Sequence, residues 1–353
     1  MAETVFRWDL DKTYLVSHFE SLRELVRIPF QSGADKQAVP GVVSLIRALR
    51  LRSERRGDRT AVYFLSASPP QIGSAIREKL QMDGIVYEGI TFKHQVRHLI
   101  RARFDIVREQ IGYKLDRLLA AASESRPGTR ELLFGDDWES DPFIYSLYAD
   151  VVAGRIGREQ LAALLERAGV NKTFVSSIDE RVAAFGSDLP DISVVGIHIL
   201  RQRPAAPAAL DAFGPRVIWF DDYFECALGL YARDWLGPAD VSSVALEVGF
   251  DSEELAGRFD AVAERGTVDR AWLSGIAGAL TRARRMDPVR RGHPLRRLGG
   301  VIRRALDLSP APPPPLGYLP DYGALVDRWS RAGRKEGLGD TEDAGRRSDD
   351  RDG

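Results

Sequence analysis

Near the amino terminus a short apolar run stops abruptly on acids: Val5-Phe6-Arg7-Trp8 leads straight into Asp9-Leu10-Asp11-Lys12-Thr13-Tyr14. Such a run reads as a strand, and Asp9 and Asp11, spaced i and i+2, converge at its end whether the strand continues or the backbone turns there. Adjacent carboxylates repel unless a cation or a shared proton neutralises them, so the pair marks a candidate reaction centre. Pairs of this kind are common as solvated loop acids, and the assignment needs support from elsewhere in the chain.

The support comes from repetition. Thr60 to Leu65 is a second compact apolar run, and it delivers Ser66-Ala67-Ser68-Pro69-Pro70 ahead of a helical stretch from Gln71 to Leu80. A strand-end hydroxyl beside a helix N-terminus suits an anion such as phosphate, although a serine-rich turn has the same composition. Gly84 to Phe92 reads as a weak strand, followed by a long helix with His94 and His98 at i, i+4. That pair has metal-ligand spacing but no third ligand, so it reads as an exposed helix face. Gly112 to Leu119 reads as a helix with Lys114 at its start, and Arg130 to Phe134 as a strand running into Gly135-Asp136-Asp137-Trp138-Glu139-Ser140-Asp141-Pro142. Ile192 to Ile199 and Val217 to Phe220 complete the strand set, with Asp221-Asp222 as a helix N-cap and Cys226 as a core residue. Strands alternating with helices predict an α/β fold with a doubly wound parallel sheet, whose ligands bind at the carboxyl ends of the strands.

The chain has 353 residues, 44% of them hydrophobic, enough for a main domain and accessory regions. The expected division is a core over residues 1–150 and 191–235, a helical insertion over 151–190, a helical C-terminal region over 236–308, and a proline linker with a largely disordered tail over 309–353. A net charge of -1 gives no reason to expect nucleic acid. The single cysteine excludes an internal disulfide and a cysteine metal cluster, and with no secretory h-region and no 18-residue apolar run the expected location is cytoplasmic. Between Arg282 and Arg304 stand nine arginines and one acid, with Leu295, Leu298, Val301, Ile302 and Leu306 interleaved at helical spacing. This basic amphipathic stretch, 282–306, is either a peripheral membrane contact or a helix packing its apolar stripe on the domain.

Asp9-Leu10-Asp11-Lys12-Thr13, Ser66, Lys114 and Gly135-Asp136 with Asp141 stand in the order, and at the strand ends, that mark the haloacid dehalogenase (HAD) superfamily of aspartyl-phosphate enzymes. The strings Ala38-Val39-Pro40-Gly41, Leu65-Ser66-Ala67-Ser68-Pro69, Tyr113-Lys114-Leu115-Asp116-Arg117 and Asp141-Pro142-Phe143-Ile144-Tyr145 sharpen the match. Together they resemble the catalytic domain of the actin-patch-associated phosphatidate phosphatases. Pro70 stands where that family carries an aromatic, Asp137 to Ser140 replace its small polar loop, and Val152 to Pro190 are inserted.

The resemblance implies a HAD-like Rossmannoid core and a Mg²⁺-dependent phosphatase. Asp9 would be the nucleophile and Asp11 the general acid and base. Ser66 and Lys114 would hold the phosphoryl oxygens, with Thr13 and Ser68 contributing to substrate binding. Mg²⁺ would sit among Asp9, the Asp11 carbonyl and Asp136, with Asp137 or Asp141 in or beside its shell. The spacings between motifs leave no room for a large cap, so the implied substrate is a bulky phosphomonoester such as a phospholipid. Two other readings stand beside it: a phosphatase for small phosphometabolites, nucleotides or phosphoproteins, and a catalytically silent phosphate- or membrane-binding module.

Overall fold

The structure, a computed structural model, describes residues 2–16, 33–66, 70–92, 103–137, 140–200, 212–265 and 318–328. Six parallel strands form one open sheet: β1 (Glu3–Asp9), β2 (Arg59–Ser66), β3 (Gly89–Phe92), β4 (Arg130–Asp136), β5 (Asp191–His198) and β6 (Val217–Phe220), in the order β3-β2-β1-β4-β5-β6. Parallel neighbours require crossovers, which the helices supply. The chain turns left from β1 to β2 and returns to β1's other side with β4. A topological switch point therefore lies between the carboxyl ends of β1 and β4, where Asp9 and Asp136 stand.

Alternation along the strands divides the core into two layers. Phe6, Trp8, Val62, Phe64, Leu132, Phe134 and Phe220 face one side, against α1 (Val42–Arg55), α2 (Gly73–Met82), α7 (Tyr223–Ala232), α8 (Pro238–Val248) and α9 (Ser252–Arg265). Leu65, Leu133, Val195, Ile197 and Val217 face the other, against α3 (Arg103–Ser123), α4 (Asp141–Val152), α5 (Arg158–Arg167) and α6 (Lys172–Ala183). Trp8 stacks on Phe134 with centroids 3.9 Å apart and planes 8° from parallel, locking β1 to β4 beneath the switch point. On the opposite face Arg7 pairs with the buried Glu131 at 2.6 Å, and Glu131 also accepts from Tyr148 at 2.8 Å. A buried pair held this way specifies register more than it adds stability, and here it fixes the same two strands.

The helices beyond β6 belong to the same body. Glu247 of α8 accepts from the backbone of Gly41, Val43 and Ser44 at 3.2, 3.3 and 2.7 Å, so a carboxylate caps the amino terminus of α1. Val241, Val244, Leu255 and Phe259 are buried in the first core layer. Within the stretch expected to be linker and tail, residues 318–328 pack on the second layer. Tyr322 is buried against Phe143 and donates to Asp150 at 2.5 Å, and Arg167 pairs with Asp327 at 2.9 and 2.5 Å.

Two local readings change. The weak strand shortens to an edge strand, Gly89–Phe92. Lys114 lies in the middle of one long helix, α3, rather than at a helix start. Asp222 caps α7 by accepting from Glu225 N, while Asp221 stays outside the cap. The His94/His98 pair, the basic stretch 282–306 and Ser68 lie outside the described residues.

Candidate active site

β1 ends at Asp9, and the next six residues make a tight turn: Tyr14 N and Leu15 N both donate to Leu10 O, and Lys12 N to Leu15 O. Lys12 adopts a left-handed backbone, φ 63°, which costs a residue with a Cβ roughly 1–2 kcal/mol and is concentrated at functional sites. The strain is held by partners on both sides. Tyr223 donates to Thr13 O at 2.7 Å, and His198 Nδ1 lies 3.1 Å from Lys12 O.

Asp9 lies on the α3/α4 face of the sheet, and two helices bring their polar groups to it. Lys114, fully buried in α3 between Tyr113 and Leu115, places its ammonium 2.8 Å from Asp9 Oδ1 and 2.5 Å from Asp141 Oδ1. Asp141 opens α4, with Pro142 behind it, and folds back over the end of β4. Glycine at 135 makes that approach feasible, since a Cβ there would come 2.7 Å from the Asp141 Cβ and closer still to its carboxylate. Asp136, the last residue of β4, completes the group, and carboxylate oxygens of Asp9, Asp136 and Asp141 lie within 4.8 Å of one another. All three are buried at 1% exposure or less.

The other predicted residues are distributed around this centre. Ser66 ends β2, is buried, and donates to Asp11 Oδ2 at 3.2 Å, so Asp11 reaches across from the β1 turn while remaining half-buried. Thr13 is buried, and its hydroxyl has no hydrogen-bond partner among the described residues. Asp137 turns away from the cluster: its carboxylate accepts from Leu200 N at 2.7 Å and anchors the chain after β5. Of the two acids left open by the sequence, Asp141 is therefore the one gathered with Asp9 and Asp136.

Three residues at the site carry no obvious signal in the sequence. His198 ends β5 and is stacked on Phe220, with Nε2 3.2 Å from Asp221 O, so its ring bridges the β1 turn and the end of β6. Tyr145 and Tyr223 are fully buried near the carboxylates. Burial, and behind it the charge of Asp141, pushes the Tyr145 hydroxyl well above its ordinary value. Burial does the same for Tyr223, so both phenols remain protonated beside the acids.

The donor set decides what the centre can hold. Three clustered carboxylates offer hard oxygen ligands and no sulfur or imidazole, which suits a divalent cation such as Mg²⁺. The Lys114 ammonium offsets a single negative charge, and a dication would offset the rest.

A buried acidic centre at the switch point of a doubly wound parallel sheet defines an α/β domain with its candidate ligand site at the carboxyl ends of the strands. Residues 8–158 match the model of the family described as phosphatidate phosphatase APP1, catalytic domain, so this stretch of the chain is similar to a phosphatase catalytic domain, as its motifs indicated. The match takes in the carboxyl end of β1, Trp8 and Asp9, all of β2 to β4 and α4, and ends before β5 and β6. No curated protein and no solved structure gives a significant match to the chain. Among the described residues, no helix is long and apolar enough to cross a membrane.

Proposed function

We propose that this protein hydrolyses a phosphomonoester through an aspartyl-phosphate intermediate on Asp9, with a bulky ester of the phosphatidate type as substrate. The convergence of Asp9, Asp136 and Asp141 around Lys114, inside the family-matched region, carries the reading. An Asp9 carboxylate oxygen attacks phosphorus and the ester oxygen leaves, taking a proton from Asp11. Asp11 then accepts a proton from the water that attacks the acyl phosphate, releasing inorganic phosphate and regenerating Asp9. Ser66 and Lys114 donate to the phosphoryl oxygens, where negative charge is densest in the transition state. Asp9, Asp136 and Asp141 would hold Mg²⁺, which supplies the charge that lets an anionic nucleophile approach an anionic phosphate.

The Ser66 contact keeps Asp11 beside the β2 end yet half-exposed, as a group exchanging protons with solvent and substrate needs to be. The test is release of inorganic phosphate from phosphatidate in mixed micelles and from an aryl phosphate, in Mg²⁺ or EDTA, with Asp9→Asn alongside. Turnover of phosphatidate that both EDTA and Asp9→Asn abolish, in a variant that melts like the parent, is the expected result. Turnover of the aryl ester or of small phosphometabolites alone would keep the chemistry and overturn the substrate class. Failure on every ester would leave the silent binding module.

A further inference from the structure

A cleft of 720 Å³ opens at the other end of the sheet from Asp9, where β5 begins at Asp191 and the chain enters β6 through Pro215 and Arg216. Its wall is assembled from distant segments: Val152 at the end of α4, Leu189, Phe213, Trp235 beyond α7, and Tyr318 from the docked C-terminal stretch. The volume falls in the range of small-molecule sites, and the lining mixes apolar side chains with a few polar ones, as such sites do.

Three arginines face this space, and they are not equivalent. Arg155 and Arg216 both pair with the buried Asp150, at 2.5 and 3.0 Å. Arg233 donates instead to two backbone carbonyls, Gly229 O at 2.9 Å and Pro215 O at 3.0 Å, and has no carboxylate partner among the described residues. Burial pulls the Arg233 guanidinium below its ordinary value, yet a guanidinium keeps its charge in proteins. A partly desolvated cation with donors to spare is costly until an anion meets it. Asp191, also in the lining, is exposed to solvent.

We infer that this cleft binds a small amphiphilic anion, its charged head on Arg233 and its apolar body against Trp235, Phe213 and Leu189. The site is separate from the acidic centre and does not rest on the proposed phosphatase chemistry. Calorimetry on the full chain, with octanoate as probe and octanol as its neutral analogue, tests it. Octanoate is expected to bind with one-to-one stoichiometry and octanol about tenfold more weakly, the usual scale for losing a charge-assisted hydrogen bond. Arg233→Gln should bring octanoate down to the octanol level, while Arg233→Lys, which keeps the charge, should retain most of the binding. Ala153→Trp, at an exposed lining position, should block both probes without altering the melting temperature or phosphate release. Equal affinity for the two probes, no octanoate binding, or an Arg233→Gln protein that binds octanoate unchanged would overturn the inference.

Discussion

Lys114, from the middle of α3, donates to Asp9 at the end of β1 across 2.8 Å, with both side chains almost wholly removed from solvent. The same ammonium reaches Asp141, so one charge ties a strand end to the start of α4. Removing a single partner from such a group leaves carboxylates buried and uncompensated. Lys114→Met is expected to lower stability by about 3–5 kcal/mol in EDTA, and added Mg²⁺ to restore more of it than in the parent protein. Thermal melts in the two buffers measure this, and an equal response to Mg²⁺ in both proteins would contradict it.

Asp11 is half-buried and accepts a hydrogen bond from Ser66 at 3.2 Å. Asp11→Asn should therefore melt within about 0.5 kcal/mol of the parent while losing about 10²- to 10⁴-fold in kcat, the range for a positioned general acid and base. A fall in KM with kcat preserved would assign Asp11 another role.

Gly135→Ala tests the fold-back of Asp141. A methyl there meets the Asp141 side chain, so α4 or the carboxylate must shift. Overpacking of this kind costs about 1–3 kcal/mol, and displacing Asp141 should weaken Mg²⁺ binding, read by titration calorimetry, along with phosphate release. Gly128→Ala, at a site with open space around it but φ of 74°, is the comparison: strained, yet at the opposite end of β4 from Asp136.

Acid should release a clamp on α3, two residues along the helix from Lys114. Burial alone would raise Asp116, but hydrogen bonds from Arg181, Ser177 and Arg117 outweigh it and hold the carboxyl below its ordinary value. A depressed folded pKa stabilises the protein above the unfolded value and loses that contribution as pH falls through the folded one, below about pH 4. Arg181→Ala, which removes one of the two hydrogen bonds from α6 to Asp116, should lower stability by about 1–2 kcal/mol at neutral pH. The difference from the parent should shrink as pH falls below about 4, and a gap unchanged between pH 7 and pH 3 would contradict it.

Much of this was legible along the chain because strands announce themselves. β1, β2 and β4 are apolar runs that stop on acids or a hydroxyl, and the same abrupt stops mark Asp9, Ser66 and Asp136. What local pattern could not give is orientation. Asp137 and Asp141 look alike in sequence; only the missing side chain at Gly135 lets α4 fold back and bring Asp141 in, while the Asp137 carboxylate caps Leu200. Lys114 sits among Ile111, Leu115 and Leu118 on a helix whose apolar face continues on both sides, so nothing local marks it as the residue pointing at the acids. His198 is one more strand residue until β5 is laid beside β4. The Arg233 cleft draws on segments separated by more than a hundred residues, and such places have no local signature.

The docking of residues 318–328 fastens the chain to the core a second time. Tyr322 on Asp150 and Arg167 on Asp327 grip the far side of the stretch that leaves α9 at Arg265. A peptide bond cut between those two anchor points would therefore leave two fragments still clasped together, separating on a denaturing gel but travelling as one particle through a sizing column.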